Sequence, residues 1–122
     1  MLFELWLQVL RQNGDHSQAA TVGRLSAHLA TLRHLSLAVT ARLALGESPV
    51  IEAALVKDLG TEFEQMIPQL IAACTAPAGT SELEQELAAT LAYVTQMAPS
   101  FSLRGGTREI LRSMIARGLD LR

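Results

Sequence analysis

The sequence predicts an all-α protein, an up-and-down antiparallel helical bundle of four main helices and one short helix. Hydrophobic residues make up 49% of the chain and aromatic residues only 4%, and Leu and Ala supply most of the apolar content, which favours helix over strand. Apolar residues recur at three- and four-residue steps, the spacing of one helix face. Short turn segments separate these stretches, so consecutive helices are expected to pack antiparallel in a single domain of 122 residues.

The first two helices are predicted over residues 2–12 and from Gln18 to about Leu45. Asn13 and Gly14 end the first helix because both tolerate positive φ. The second helix has a stripe of residues at the spacing of one face, which we expect to be buried: Val22, Leu25, Leu29, Leu32, Ser36, Val39 and Leu43.

A third helix is expected after Gly46, with Ser48 as its cap and Pro49 in its first turn. The buried stripe is predicted to be Ile51, Leu55, Leu59, Phe63, Met66 and Leu70. Asp58 and Glu62 are expected on the solvated face, since carboxylates four residues apart usually lie on a helix surface. Pro68 removes an amide donor inside the pattern, so a kink or break is expected near Ile67.

The last part of the chain predicts a loop over residues 75–80 and then two more helices. Ser81 and Glu84 have the spacing of a capping box that opens the fourth helix. Its predicted apolar face is Leu83, Leu87, Leu91, Val94 and Met97, and it ends at residues 98–100. Thr107 is expected to cap the fifth helix. The predicted inner side of the fifth helix is Ile110, Leu111, Met114 and Ile115.

Composition excludes several classes of function. The net charge is -2 and the arginines are dispersed, so no basic patch predicts nucleic-acid binding. The longest apolar stretch, residues 35–45, contains Thr40 and Arg42 and is too short for a membrane span. One cysteine, Cys74, permits no intrachain disulfide and is expected to be structural, and a cytoplasmic location is the expectation.

The histidines and the first helix give two further expectations, one about metal binding and one about a partner. His16, His28 and His34 lack metal-ligand spacing, so no metal site is predicted. The first helix carries Phe3, Trp6 and Val9, which is more apolar surface than a small bundle is expected to cover. We therefore expect a homodimer, a higher oligomer or a missing domain to pack against this helix.

Two segments resemble a known family. Residues 104–119, RGGTREILRSMIARGL, resemble the last helix of the acyl-CoA dehydrogenases, and residues 53–65, AALVKDLGTEFEQ, are similar to an Ala-rich helix that precedes it in that family. The resemblance implies the family's C-terminal helical-bundle domain, without its N-terminal helical and β-barrel domains. It further implies an FAD-dependent oxidoreductase acting on the CH–CH bond of acyl-CoA, to which this domain contributes part of the FAD site and oligomer contact while being inactive alone.

The resemblance also implies roles for particular residues. Gly106 and Thr107 would contact FAD, Glu109 would lie near its adenosine half, and Arg11 would be the remnant of a flavin-binding arginine. From the residues alone, Thr107 is equally a helix cap, Glu109 a first-turn acid and Arg11 a helix-end cation. Gly105 occupies the position of the usual catalytic base, so no catalytic residue is predicted.

Two other functions remain open at this stage. The chain is alternatively a non-catalytic assembly subunit or module of a heteromeric acyl-CoA dehydrogenase, because Gly105 cannot accept a proton. Glu4 is the only acid near the start of the bundle, and it is expected to be a solvated side chain rather than a substitute base. The third alternative is a helical-bundle interaction protein of unrelated function.

Overall fold

A computed structural model describes residues 1–75 and 79–121, and every regular element in these two ranges is helical. The elements are α1 (Leu2–Gln12), α2 (Ala19–Ala44), α3 (Val50–Cys74), α4 (Glu82–Met97), a 3₁₀ helix (Ala98–Leu103) and α5 (Arg108–Gly118). The predicted all-α class is confirmed, and the five α-helices are consistent with a helical bundle.

Local turn signals place most helix ends correctly. Gly14 and Gly46 adopt φ values of 61° and 79°, a region that glycine enters without steric cost, and each follows the end of a helix. The capping box of α4 is confirmed, because the Ser81 hydroxyl accepts a hydrogen bond from the Glu84 amide and the Glu84 carboxylate accepts one from the Ser81 amide.

Of the kink or break expected near Ile67, the break is wrong, since α3 continues through Pro68 to Cys74. Pro68 is fully buried, and Ile71 one turn later is 0% exposed, so apolar packing around the proline offsets the hydrogen bond that it cannot donate. The predicted loop at 75–80 lies partly outside the described residues, and α4 begins at Glu82 after it.

The chain forms two compact units, of which the first comprises residues 1–24 and 64–101. In this first unit α1 packs against α4, and its core contains Trp6, Ile71 and Leu87, each less than 2% exposed. The Gln65 side-chain amide donates to the Ala98 carbonyl and so ties α3 to the start of the 3₁₀ helix.

The expected surplus of apolar surface on α1 is wrong. Leu2, Leu5, Trp6 and Val9 are all buried, with Trp6 only 1% exposed, and Phe3 is half-buried with its ring 6.1 Å from that of Trp6. The apolar residues that suggested a partner on α1 are therefore mostly covered, and the partner itself stays a prediction.

The second unit comprises residues 25–63 and 102–122. Its buried residues include Leu25 and Leu32 of α2, Phe63 of α3 and Leu111 of α5. Near the end of α5, Gly118 approaches the Ile51 side chain so closely that a Cβ atom at position 118 would overlap it.

Each predicted buried stripe contains residues that the structure exposes. These exceptions are Leu29, Ser36, Leu43, Leu55, Met97 and Ile110. On α3 the cause is a rotated buried face, which includes Ala54, Asp58 and Thr61 rather than Leu55. Asp58 was expected in solvent and is only 6% exposed, so a charged side chain forms part of the buried face of α3.

Candidate functional site

The predicted stripe of α2 divides into two rows, each with one residue every seven. The inner row is Leu25, Leu32 and Val39; Leu25 and Leu32 are buried and Val39 is half-buried. The other row begins with Val22, which is half-buried in the first unit, and continues in the second unit with Leu29, Ser36 and Leu43. These last three residues form the open row, and all three side chains are exposed, Leu29 by 49% and Leu43 by 56%. The second unit therefore covers one edge of a helix face and leaves the neighbouring edge in solvent.

The charges on α2 all have one sign. The helix contains three arginines and two histidines but no aspartate or glutamate. Arg42, at its C-terminal end, forms ion pairs with Glu47 and with Glu52, and the distance to Glu47 is 2.6 Å. The open row thus lies on a cationic helix that meets a pair of carboxylates at one end.

A second candidate site is the turn before α5. Gly105 and Gly106 adopt φ values of 75° and 104°, and α5 begins directly after Thr107. Thr107 is at the N-cap position, as predicted, but its side chain makes no capping hydrogen bond. A Cβ atom added to Gly105 would have only the Lys57 side chain within van der Waals distance, at 3.6 Å, so this backbone is accessible to a ligand.

Glu109 already uses part of this helix N-terminus. Hydrogen bonds from its own backbone amide and from the Thr107 hydroxyl lower the pKa of the Glu109 carboxyl group. Its carboxylate can accept a hydrogen bond from a hydroxyl group, while the Lys57 side chain beside Gly105 can pair with an anion. The turn therefore has one group of each charge sign next to the accessible backbone.

The four residues that the resemblance assigns to FAD fall into two groups. Gly106, Thr107 and Glu109 lie within one turn of each other in the second unit. Arg11 belongs to the first unit, where it is an exposed cation in the last turn of α1. Glu4, the acid considered as a substitute base, is exposed and lies 2.9 Å from the N-terminal amine.

An ion-pair cluster joins α3 to α5 in the second unit. Asp58 accepts hydrogen bonds from Arg108 Nε at 2.8 Å and from Arg112 Nε at 3.1 Å, and Arg108 also donates to Glu62 at 2.9 Å. Burial disfavours the charged Asp58 carboxylate, but the two arginines outweigh burial, so that its pKa is lowered. The hydrogen bond to Asp58 in turn raises the pKa of Arg108.

Sequence reasoning missed this cluster, although a signal for it exists. Asp58 and Glu62 are four residues apart on α3, and Arg108 and Arg112 are four apart on α5. Two acids and two cations at the same helical spacing can face each other when their helices pack together. The pattern indicates a structural clamp, since each carboxylate of the cluster is already paired with an arginine.

Two cavities of about 370 Å³ each lie within the units. The cavity of the first unit lies between α1 and α4 and is lined by Trp6, Leu87 and Leu91, with Cys74 and Glu84 among its polar residues. The cavity of the second unit is lined mainly by apolar side chains, with Ser48, Lys57 and the Gly105 backbone as its polar groups.

No further candidate site comes from metal ligands, histidine contacts or membrane-spanning helices in the described part of the chain. No group of three or more His, Cys, Asp and Glu residues there could hold a metal ion. His28 contacts the Phe63 ring at 4.5 Å, and His34 Nδ1 lies 2.7 Å from the Ala30 carbonyl oxygen. Within residues 1–75 and 79–121, no helix has the length and apolar character required to span a membrane.

Comparison with known proteins finds no match to this sequence at three levels. No family model matches the sequence, and neither a curated protein nor a solved structure matches it.

Proposed function

We propose that the chain is a helical assembly domain, which packs the open row of α2 against an apolar helix of a partner. The observation that carries this proposal is the half-covered stripe on α2, where Leu29 and Leu43 are exposed beside the buried Leu25 and Leu32. A helix partner suits this edge because the open row repeats every seven residues, the period at which packed helices interlock their side chains.

The energetic reason for a partner is the apolar area still in contact with water. Burying a whole leucine stabilises by about 1.5–3 kcal/mol, so covering the exposed halves of Leu29 and Leu43 contributes on the order of 1 kcal/mol each. Their position along one row allows a single helix to cover both of them at once.

The proposal is tested with an apolar fluorescent dye, anilinonaphthalene sulfonate, added to the dilute protein. We expect the wild type to bind the dye, and the double variant Leu29→Gln with Leu43→Gln to bind much less of it. Leu37→Gln is the matched control, because Leu37 is 57% exposed on the same helix but lies about 100° around it from Ser36. Equal dye binding by all three proteins would contradict the proposal.

A second candidate is the last domain of an acyl-CoA dehydrogenase-like flavoprotein, with Gly106, Thr107 and Glu109 at the adenosine half of FAD. It is favoured by the start of α5 directly after Thr107, behind two glycines of positive φ. It is further favoured by the ion pairs between α5 and α3, since these two helices carry the two segments that resemble the family. The substrate would be acyl-CoA, with the reaction carried out by the longer protein.

The flavin spectrum tests this second candidate. A longer protein that contains this segment should carry stoichiometric flavin absorption, whereas the 122-residue chain alone should carry little. Thr107→Ala and Glu109→Gln should lower the flavin content of the longer protein, and Ser113→Ala on the exposed side of α5 should not. Unchanged flavin content in both of the former variants would exclude this site.

A further inference from the structure

We infer that the partner of the open row is a second copy of this chain, with the two α2 helices antiparallel and crossing at Ser36. This inference rests on the proposed assembly function and specifies its partner. The open row is symmetric about Ser36, since Leu29 precedes it and Leu43 follows it by seven residues each. An antiparallel copy therefore places each Leu29 opposite the partner's Leu43, and one interface buries four leucines.

Ser36 has the size that this crossing point requires. It is exposed, and it separates the two leucines of the row by about 10 Å on either side, at 1.5 Å per residue. Helix axes in soluble proteins pack 8–10 Å apart according to the side chains at the contact, so a small residue there allows close approach. In a twofold interface the two Ser36 hydroxyl groups also meet each other and can form a hydrogen bond.

Charge favours the antiparallel over the parallel arrangement. In a parallel pair Arg33 would lie beside the same arginine of the other copy, and no acid on α2 would separate them. In the antiparallel pair Arg33 lies about 4.5 Å along the axis from the partner's Arg42. Arg42 is paired with Glu47 and Glu52, so Arg33 faces a group with more negative than positive charges.

The ends of the helices are also complementary. The antiparallel arrangement brings the half of α2 that carries Arg33 towards the end that carries the partner's Glu47 and the partner's Glu52. Both of these carboxylates have side chains nearly half exposed in the single chain, 44% and 48%, and so can interact with a second cation. The cationic α2 and the acids that follow it are thus complementary in charge to a second copy only when the two α2 helices are antiparallel.

The first test is the molar mass by analytical ultracentrifugation from micromolar to millimolar concentration. We expect the wild type to change from a 13.2 kDa monomer to a dimer. Leu29→Glu with Leu43→Glu should raise the dissociation constant by on the order of 100-fold or more, because four carboxylates would enter the interface. Leu37→Glu should dimerise like the wild type. A wild type that stays monomeric throughout, or equal disruption by Leu37→Glu, would overturn the inference.

The second test is cysteine cross-linking, which requires no disruptive substitution. In a Cys74→Ser background, a mixture of Leu29→Cys chains and Leu43→Cys chains should form a disulfide-linked dimer, while either chain alone should not. Disulfides need Cβ atoms about 3.5–4.5 Å apart, so the pattern of products reports the register directly. Ala38→Cys, on the opposite side of α2, is the control. Cross-linking of each single variant with itself would show a parallel pair and overturn the inference.

The two proposals fail in different ways. Dye binding that depends on Leu29 and Leu43 in a protein that remains monomeric would retain the assembly function and exclude the second copy as partner. Absence of both dye binding at the open row and dimerisation would exclude the assembly function itself.

Discussion

Helices α1 and α2 differ in the share of their residues that is buried. Four of the 11 residues of α1 are buried, whereas α2 buries only Leu25 and Leu32 among its 26 residues. Both helices have apolar residues at the spacing of one face. The difference shows that spacing predicts which side of a helix is apolar, while the neighbouring elements decide how much of that side is covered.

The largest effect is expected from the buried indole of α1. Trp6→Ala should lower the free energy of unfolding by about 3–5 kcal/mol, because it leaves a cavity between α1 and α4. Urea titration followed by circular dichroism measures this change. Leu37→Ala on α2 is the control and should change stability by less than about 0.5 kcal/mol. Comparable losses of unfolding free energy in Trp6→Ala and Leu37→Ala would contradict the difference in burial between α1 and α2.

The contrast between the two rows of α2 is tested by substitutions three residues apart. Leu32→Ala, in the inner row, should cost about 2–3 kcal/mol, and Leu29→Ala, in the open row, less than about 1 kcal/mol in dilute protein. Thermal unfolding at several protein concentrations measures both variants. The difference between the stability losses of Leu32→Ala and Leu29→Ala should narrow as protein concentration rises, since dimerisation buries Leu29 as well. A Leu29→Ala loss as large as that of Leu32→Ala in dilute protein would show that the open row is covered within the chain.

The ion-pair cluster of the second unit should have an intermediate effect. Asp58→Asn should destabilise by about 1–3 kcal/mol, less than for a fully buried pair, because Arg108 and Arg112 retain contact with water. Glu62→Gln, whose carboxylate is 54% exposed, should cost less than about 1 kcal/mol. Chemical denaturation at neutral pH compares them, and an equal loss from both would show that burial of Asp58 has no energetic role.

The same cluster predicts a dependence on pH. The folded state lowers the pKa of Asp58, so its ionisation stabilises the fold fully above the unfolded value of about 3.9 and progressively less as pH falls below it. The stabilities of the wild type and of Asp58→Asn should therefore converge in acid. Unfolding curves from neutral to acidic pH measure the difference, and a constant gap would contradict the assignment.

The smallest predicted effect compares the two helix caps. Ser81→Ala should cost about 1 kcal/mol because it removes the hydroxyl that accepts the Glu84 amide hydrogen bond. Thr107→Ala should cost less than about 0.5 kcal/mol, because the Thr107 side chain makes no capping bond. Thermal unfolding of both variants measures the difference. A larger loss of stability in Thr107→Ala than in Ser81→Ala would mean that Thr107 stabilises the turn before α5 more than its hydrogen bonds indicate.

Local chemistry made much of the fold predictable from sequence. Gly14, Gly46 and the pair of Ser81 and Glu84 define helix ends through contacts within a few residues, and these were located correctly. A break at Pro68 was not a correct prediction, because the residue is buried within α3, which continues past it.

The candidate site was less predictable, since it depends on which elements meet. The stripe on α2 was recognisable, but its division into a buried and an open row depends on how the second unit packs. Asp58 was assigned to solvent because its arginine partners are 50 and 54 residues away along the chain. Among the residues implied by resemblance, Thr107 was placed correctly as the N-cap, while contact with FAD stays a prediction.

The close approach of Gly118 to Ile51 has a consequence for related sequences. Because a single methyl group at position 118 would overlap the isoleucine, a larger residue there requires the Ile51 side chain to shift. A chain of the same fold that carries a larger residue at position 118 should carry a smaller one at position 51. Covariation between these two positions would therefore record, in sequences alone, that the end of α5 lies on the start of α3.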